Sequence, residues 1–179
     1  MAVVSIIYAP NPIFKKVCEP VAAVNDEVKQ MAQDMLDTLQ FEQAVGLGAN
    51  MLGFTKRIAV VDLNENNISK PYVFINPEII YQSDETQTFE EASLSYPGIS
   101  AQITRPKAIT VRYLDMEGTE RELEAEGFFA TVIQHEVDYL NGKVFLDHLS
   151  KLKSDMLLKK MQKFMKMNPP HIHTEHCNH

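Results

Sequence analysis

Residues 126–140 constrain this chain more than any other stretch. Phe128, Phe129, Ala130, Val132, Ile133, Val137 and Leu140 leave a helix here almost no polar face. Such a helix must be wrapped by other elements. Yet Gln134, His135, Glu136 and Asp138 are set into it, followed by Tyr139. Buried ionisable groups persist only where they are paired or put to use. The pattern is one residue short of H-E-x-x-H, in which two His four apart on one helical face hold a metal and the Glu acts as general base. The fifth position is Tyr139, so the motif alone is weak. Asn141-Gly142 supplies a stop.

The rest of the chain supplies what would wrap this helix. Pro10, Pro12 and Pro20 make residues 8–20 an extended, turn-rich entry. Asn25 is placed as an N-cap, and Val28, Met31, Ala32, Met35, Leu36 and Leu39 recur at helical spacing, which predicts an amphipathic helix over 26–41. Residues 44–53 are small and apolar, and Gly46, Gly48 and Gly53 read first as tight turns and close backbone packing. Residues 58–62 and 72–75 are β-rich runs split by a polar turn at 64–67. Residues 108–113 pair with 120–124 across a turn at Met116-Glu117-Gly118. A second amphipathic helix spans about 150–167, carrying six Lys against Asp155 alone. The order of elements indicates an α+β class.

At 179 residues the chain fits one domain, expected over 1–168, with a His-rich and disordered tail over 169–179 that holds four of the six His and Cys177. That tail reads as a disordered segment with opportunistic metal affinity. No run is long enough for a membrane span, no secretory signal is evident, and two Cys make no disulfide framework; a cytoplasmic location is expected. A formal net charge of −7 argues against binding DNA over the whole surface.

Three segments, Gly46-Leu47-Gly48-Ala49-Asn50-Met51, Glu91-Ala92-Ser93-Leu94-Ser95 and His135-Glu136-Val137-Asp138-Tyr139, together resemble the three motifs of the peptide deformylase family in order and spacing. The likeness runs over about residues 5–167. It implies a deformylase-type fold, with antiparallel strands around the central motif-bearing helix and a C-terminal helix. It also implies a family activity, removal of formyl from the N-terminal Met of nascent chains, with Fe or Zn as cofactor.

Carried over residue by residue, the family's metal ligands fall on Ser93, His135 and Tyr139, where it has Cys, His and His. Its oxyanion-stabilising Gln falls on Met51, and its motif-two Gly on Ala92. Glu136 matches the general acid/base. Gly46, Gly48, Met51 and Leu94 match substrate-binding positions. Family resemblance further implies ribosome contact through the terminal helix.

Elementary chemistry gives these departures weight. A thiolate and an imidazole are good ligands for zinc or ferrous iron, whereas a Ser hydroxyl and a phenol of pKa about 10 are poor ones. The Tyr139 ring is expected to take the metal's place. The Ser93 and Tyr139 hydroxyls are expected to hydrogen-bond the Glu136 carboxyl in a neutral network. Without metal no water is activated, and Met51 cannot donate to a developing oxyanion. Three functions follow as expectations: a catalytically impaired deformylase-like protein that keeps a groove for Met-like N-terminal peptides and binds no metal; an active deformylase; or an interaction protein whose pocket is filled.

Overall fold

The computed structural model describes residues 2–169. Three helices, α1 (Asp26–Glu42), α2 (Gly127–Leu140) and α3 (Lys151–Met167), accompany seven strands. Five of these, β1 (Gly46–Gly48), β2 (Ile58–Val61), β3 (Tyr72–Gln82), β6 (Ala108–Leu114) and β7 (Glu120–Glu126), form an antiparallel sheet in the order β1-β2-β3-β6-β7. The other two, β4 (Thr86–Ser93) and β5 (Tyr96–Pro106), form a separate hairpin. The α+β class read from the sequence, antiparallel strands with a central motif-bearing helix and a C-terminal helix, is the one observed. The His-rich stretch, from residue 170 on, lies outside the described residues.

Local chemistry accounts for the boundaries. Asn25 Oδ1 accepts from the Val28 N–H at 3.0 Å and starts α1, with Asp26 and Glu27 favourably placed in its first turn. Val28, Ala32, Met35 and Leu39 form its buried stripe. Ser150 caps α3 through the Lys153 N–H. The expected pairing of 108–113 with 120–124 is present, extended to Ala108↔Glu126 and Leu114↔Glu120. Residues 44–53, read as turns, contain β1 and a 3₁₀ turn at Ala49–Leu52. There Gly53, at φ 85°, occupies the left-handed region that a side chain resists.

The hairpin was not evident from residue patterning. Thr86–Ser93 is polar, and β5 contains Pro97, Gly98 and Pro106, which normally demote a strand.

The continuous apolar run of β2 has a simple cause: the sheet is covered on both faces. Ile58 and Val60 point into a core shared with α1, the 3₁₀ turn and the hairpin. Ala59 and Val61 point into a second core with α2, β6 and β7. Helix α2 bridges the two. Ala130, Ile133, Val137 and Leu140 pack in the second core, while Tyr139 enters the first. Helix α3 lies against β5, where the Phe164 ring sits so close to Gly98 that a Cβ there would fall 2.3 Å from it. Only Met161 of α3 is fully buried.

Candidate functional site

The fold brings the three segments together around a groove of about 600 Å³. Ser93 at the end of β4, His135 and Glu136 on α2, and Met51 in the 3₁₀ turn line it, together with Gly46 and Leu94. Tyr8, Val45, Tyr96, Ile99, Phe128 and Val132 add apolar wall. Gly48 does not line the groove. It lies behind it, where a Cβ would come 3.1 Å from Tyr139 Cβ. Gly46 is tighter still: a Cβ would meet Glu136 Oε1 at 2.8 Å. A side chain at either position would press on its neighbours, at Gly46 on the Glu136 side chain and at Gly48 on Tyr139. A hollow of about 760 Å³ between α1 and residues 62–71 is larger, but its lining contains no His, Cys, Lys or Arg.

Tyr139 is completely buried, its ring edge-on to Phe14 at 5.6 Å and tilted against His135. Its Oη lies 2.6 Å from Ser93 Oγ, and either hydroxyl can be the donor. The Ser95 N–H also donates to Ser93 Oγ, at 3.3 Å. Burial raises the Tyr139 pKa well above its usual value against the hydrogen bond with Ser93, so the phenol stays neutral. Asn50 Nδ2 donates to the Tyr139 carbonyl at 2.7 Å and ties the 3₁₀ turn to α2. Met51 is buried, and its Sδ accepts from the Gly48 N–H at 3.4 Å.

One expectation needs correcting. Ser93 and Tyr139 pair with each other rather than with Glu136. Glu136 Oε2 is buried with no hydrogen-bond partner among the described residues. Burial pushes this carboxyl up to about 7, only partly offset by the neighbouring His135. Tyr139 and Glu136 lie three apart on α2, and the phenol hydroxyl is taken up by Ser93 at the end of β4.

Residue patterning also missed a charged cluster that runs inward from the groove wall. Arg105 on β5 grips Glu91 on β4 with two parallel bonds, Nε–Oε2 at 2.8 Å and Nη2–Oε1 at 2.9 Å. Its Nη1 reaches Asp138 Oδ2 at 2.8 Å. Glu91 Oε1 lies 2.7 Å from His135 Nδ1, and Asp138 Oδ2 lies 2.8 Å from His148 Nε2. Burial acts to raise the Glu91 pKa, but His135 and Arg105 outweigh it and hold Glu91 below the ordinary carboxylate range. A carboxylate facing Nδ1 places the ring proton there, and in the neutral ring Nε2 is left as an acceptor. Glu91 was within reach of sequence reasoning, being two residues before Ser93 on one strand. Arg105 lies 33 residues from Asp138, and no local pattern marks it.

With the geometry in hand, comparison with known proteins is decisive. The family model for polypeptide deformylase matches residues 3–155. The chain belongs to the peptide deformylase family. A Rickettsia conorii protein named peptide deformylase-like is 63% identical over 174 residues, covering 97% of this chain and 95% of its own. The Rhizobium meliloti peptide deformylase is 41% identical over 167 residues, 93% of this chain and 96% of its own. The crystal structure of the Ehrlichia chaffeensis peptide deformylase in complex with actinonin superposes with a TM-score of 0.87 at 36% identity, covering 95% of this chain and all of that one. Among the described residues no helix is long and apolar enough to cross a membrane.

Two outcomes test this geometry. Arg105→Met leaves Glu91 and Asp138 without their cation and is expected to cost about 3–5 kcal/mol, read by urea denaturation; a loss below about 1 kcal/mol would remove the cluster from any structural role. Glu136→Gln is expected to stabilise the protein in a pH-dependent way. Below pH about 4.5 the carboxyl is protonated folded and unfolded, so the gap is small. From there to about 7 the unfolded chain ionises first and parent stability falls. Above that the gap levels at roughly 3 kcal/mol. A gap independent of pH would mean that the carboxyl has a partner.

Proposed function

We propose that this deformylase-family chain keeps a groove for Met-like N-terminal peptides but hydrolyses the formamide bond weakly or not at all. The observation that carries this reading is the Ser93–Tyr139 hydroxyl pair at 2.6 Å, where the family resemblance calls for a thiolate and an imidazole. Zinc or ferrous iron would find one good donor, His135, and two neutral hydroxyl oxygens already bonded to each other. The donor set does not fit the metal. Nor does Met51 offer a hydrogen to a developing oxyanion, because a thioether only accepts. What the remaining residues can do is bind. Leu94, Tyr96, Ile99, Phe128 and Val132 offer apolar contact, and Glu136 and His135 offer polar atoms at the groove's inner side.

A second reading, an active deformylase, is favoured by the names of the 41%-identical relative and the solved structures. The relative at 63% bears the suffix "-like". A third, an interaction protein with a filled pocket, is disfavoured by the groove's volume.

Formyl-Met-Ala-Ser assayed beside the Rhizobium meliloti enzyme is expected to turn over at least about 10²–10³-fold more slowly. Chain ending at residue 168, which removes the tail's His and Cys, is expected to hold no stoichiometric zinc or iron. Combined Met51→Gln, Ser93→Cys and Tyr139→His is expected to recover metal and rate. Comparable turnover by the parent, with bound metal, would replace this reading with the second. Co-crystallisation with actinonin, the ligand named for the Ehrlichia protein, tests the third, which predicts no density in the groove.

We also infer that α3 docks on ribosomal RNA. Its Lys151, Lys153, Lys159, Lys160, Lys163 and Lys166 are all exposed, as are Leu152, Met156 and Met167. Salt-sensitive co-sedimentation with ribosomes is expected, and Lys159→Glu with Lys163→Glu and Lys166→Glu is expected to abolish it. Retained binding by that variant would discard the surface.

A further inference from the structure

We propose that a second hollow, between the N-terminal entry and α3, binds a small zwitterion with an apolar side chain, the chemistry of a free apolar α-amino acid.

The hollow has a volume of about 520 Å³, and small-molecule sites run from roughly 300 to 1,000 Å³. Residues between 9 and 15, the stretch 142–147 and α3 enclose it, and Tyr96 of β5 closes it. Tyr96 also lines the groove, and it is the residue the two linings have in common. None of Met51, Ser93, His135 and Glu136 borders the hollow. It is therefore a separate site that shares one wall with the groove.

Its floor is apolar and fixed. Ala9, Phe14, Tyr96, Val144 and Leu146 are buried there. The Tyr96 ring is held between Phe14, at 5.8 Å between centroids, and Phe145, edge-on at 6.0 Å. Pro10, Pro12 and Leu158 add apolar wall. Covering this surface with a hydrocarbon side chain removes apolar area from water on both partners.

The polar groups of the lining are few and carry both signs. Tyr96 is only 7% exposed, yet its hydroxyl has no hydrogen bond among the described residues, whereas the buried Tyr139 has Ser93. Burial first, and the Asp147 charge second, push this phenol up to about 12, so it stays a donor. That Asp147 acts on the phenol places its carboxylate toward the same hollow. The Val144 N–H donates to Asp147 Oδ2 at 2.8 Å and fixes the carboxylate, while Oδ1 has no partner among the described residues. Lys15, the last residue of a 3₁₀ turn at Pro12–Lys15, supplies the opposite charge. Among the described residues the lysines held in ion pairs are Lys56 and Lys107, so the Lys15 ammonium is uncommitted.

These groups together specify the ligand. An ammonium suits Asp147. A carboxylate suits Lys15 and accepts from the Tyr96 hydroxyl. A side chain without polar atoms suits the floor. A plain hydrocarbon would leave the Tyr96 hydroxyl unmet, and a simple anion or cation would use one charge and none of the apolar surface. A free apolar amino acid carries all three features in one small molecule.

Titration of the full chain with L-phenylalanine, followed by amide NMR spectra, tests this. N-acetyl-L-phenylalanine, which lacks the ammonium, and L-phenylalanine amide, which lacks the carboxylate, are titrated beside it. L-Phenylalanine is expected to shift the amides of Ala9, Val144 and Leu158 saturably. It is also expected to bind at least about threefold more tightly than either derivative, the size of effect that partly exposed ion pairs give. Lys15→Met is expected to remove the margin over the amide alone. Asp147→Asn, which keeps an acceptor for the Val144 N–H, is expected to remove the margin over the acetyl derivative alone. Shifts confined to groove residues, or none that saturates, would overturn the inference. Equal binding of all three compounds, or margins that survive both substitutions, would do the same.

Discussion

The Arg105 guanidinium is the interaction on which the rest of the site depends. The β4–β5 hairpin is a two-stranded sheet of its own, and such a hairpin is marginal in water unless anchored. Its anchor is apolar packing on α3 and the first core, plus one ionic clasp: Arg105 from β5 closing on Glu91 of β4 and Asp138 of α2. Arg105 and Glu91 are almost completely buried, at 3% and 4% side-chain exposure. The desolvation penalty for such ions runs to several kcal/mol each, and bidentate geometry is what offsets it. A buried clasp of this kind contributes little net stability over an apolar packing. What it supplies is a tie between β4, β5 and α2 through three charges. The same two elements, β4 and α2, meet where Ser93 faces Tyr139 and Glu91 faces His135.

Magnitudes indicate what the hydroxyl pair can and cannot do. A structural metal contributes roughly 10–16 kcal/mol of apparent free energy, whereas a neutral hydrogen bond contributes about 1 kcal/mol net. Ser93–Tyr139 spans the same two elements, the end of β4 and α2, but cannot match a metal in strength. The fully buried Tyr139 ring makes up part of the difference, since burial of an aromatic side chain is worth roughly 1.5–3 kcal/mol. The tie from Asn50 to the Tyr139 carbonyl adds a third strand of support. The cluster is organised by packing, a hydroxyl pair and the charged clasp beside it.

Much of this was legible in the residues. Helix α1 with its Asn25 cap, the β6–β7 pairing and the buried α2 all follow from periodicity and capping, which act over a few residues. The doubly covered β2 was readable as a strand because burial on both faces leaves no polar alternation. Least legible was the β4–β5 hairpin. Its strands are held by the charges they bury as well as by apolar alternation, so Glu90 and Glu91 count against a strand in any local reading. The Arg105 clasp was invisible for the same reason: its partners are 14 and 33 residues away. Resemblance placed Ser93, His135 and Tyr139 in one site. It did not reveal that the two hydroxyls would turn to each other and leave Glu136 alone.

That isolation bears on whether the groove is used. A buried carboxyl without a partner costs on the order of 1–3 kcal/mol or more. Gln at position 136 would keep the shape without the charge, and Leu would fill the space. Gly46, where a Cβ would press on the same side chain, adds to the cost, since glycine in a strand is disfavoured. A chain whose old pocket had become ordinary core would gain by either change. Two adjacent liabilities kept together are what a binding site looks like when its ligand supplies the missing hydrogen-bond donor. Under the proposed reading, the chain keeps the groove without the metal that the reaction needs, and Glu136 is the buried group that an occupant of the groove would satisfy.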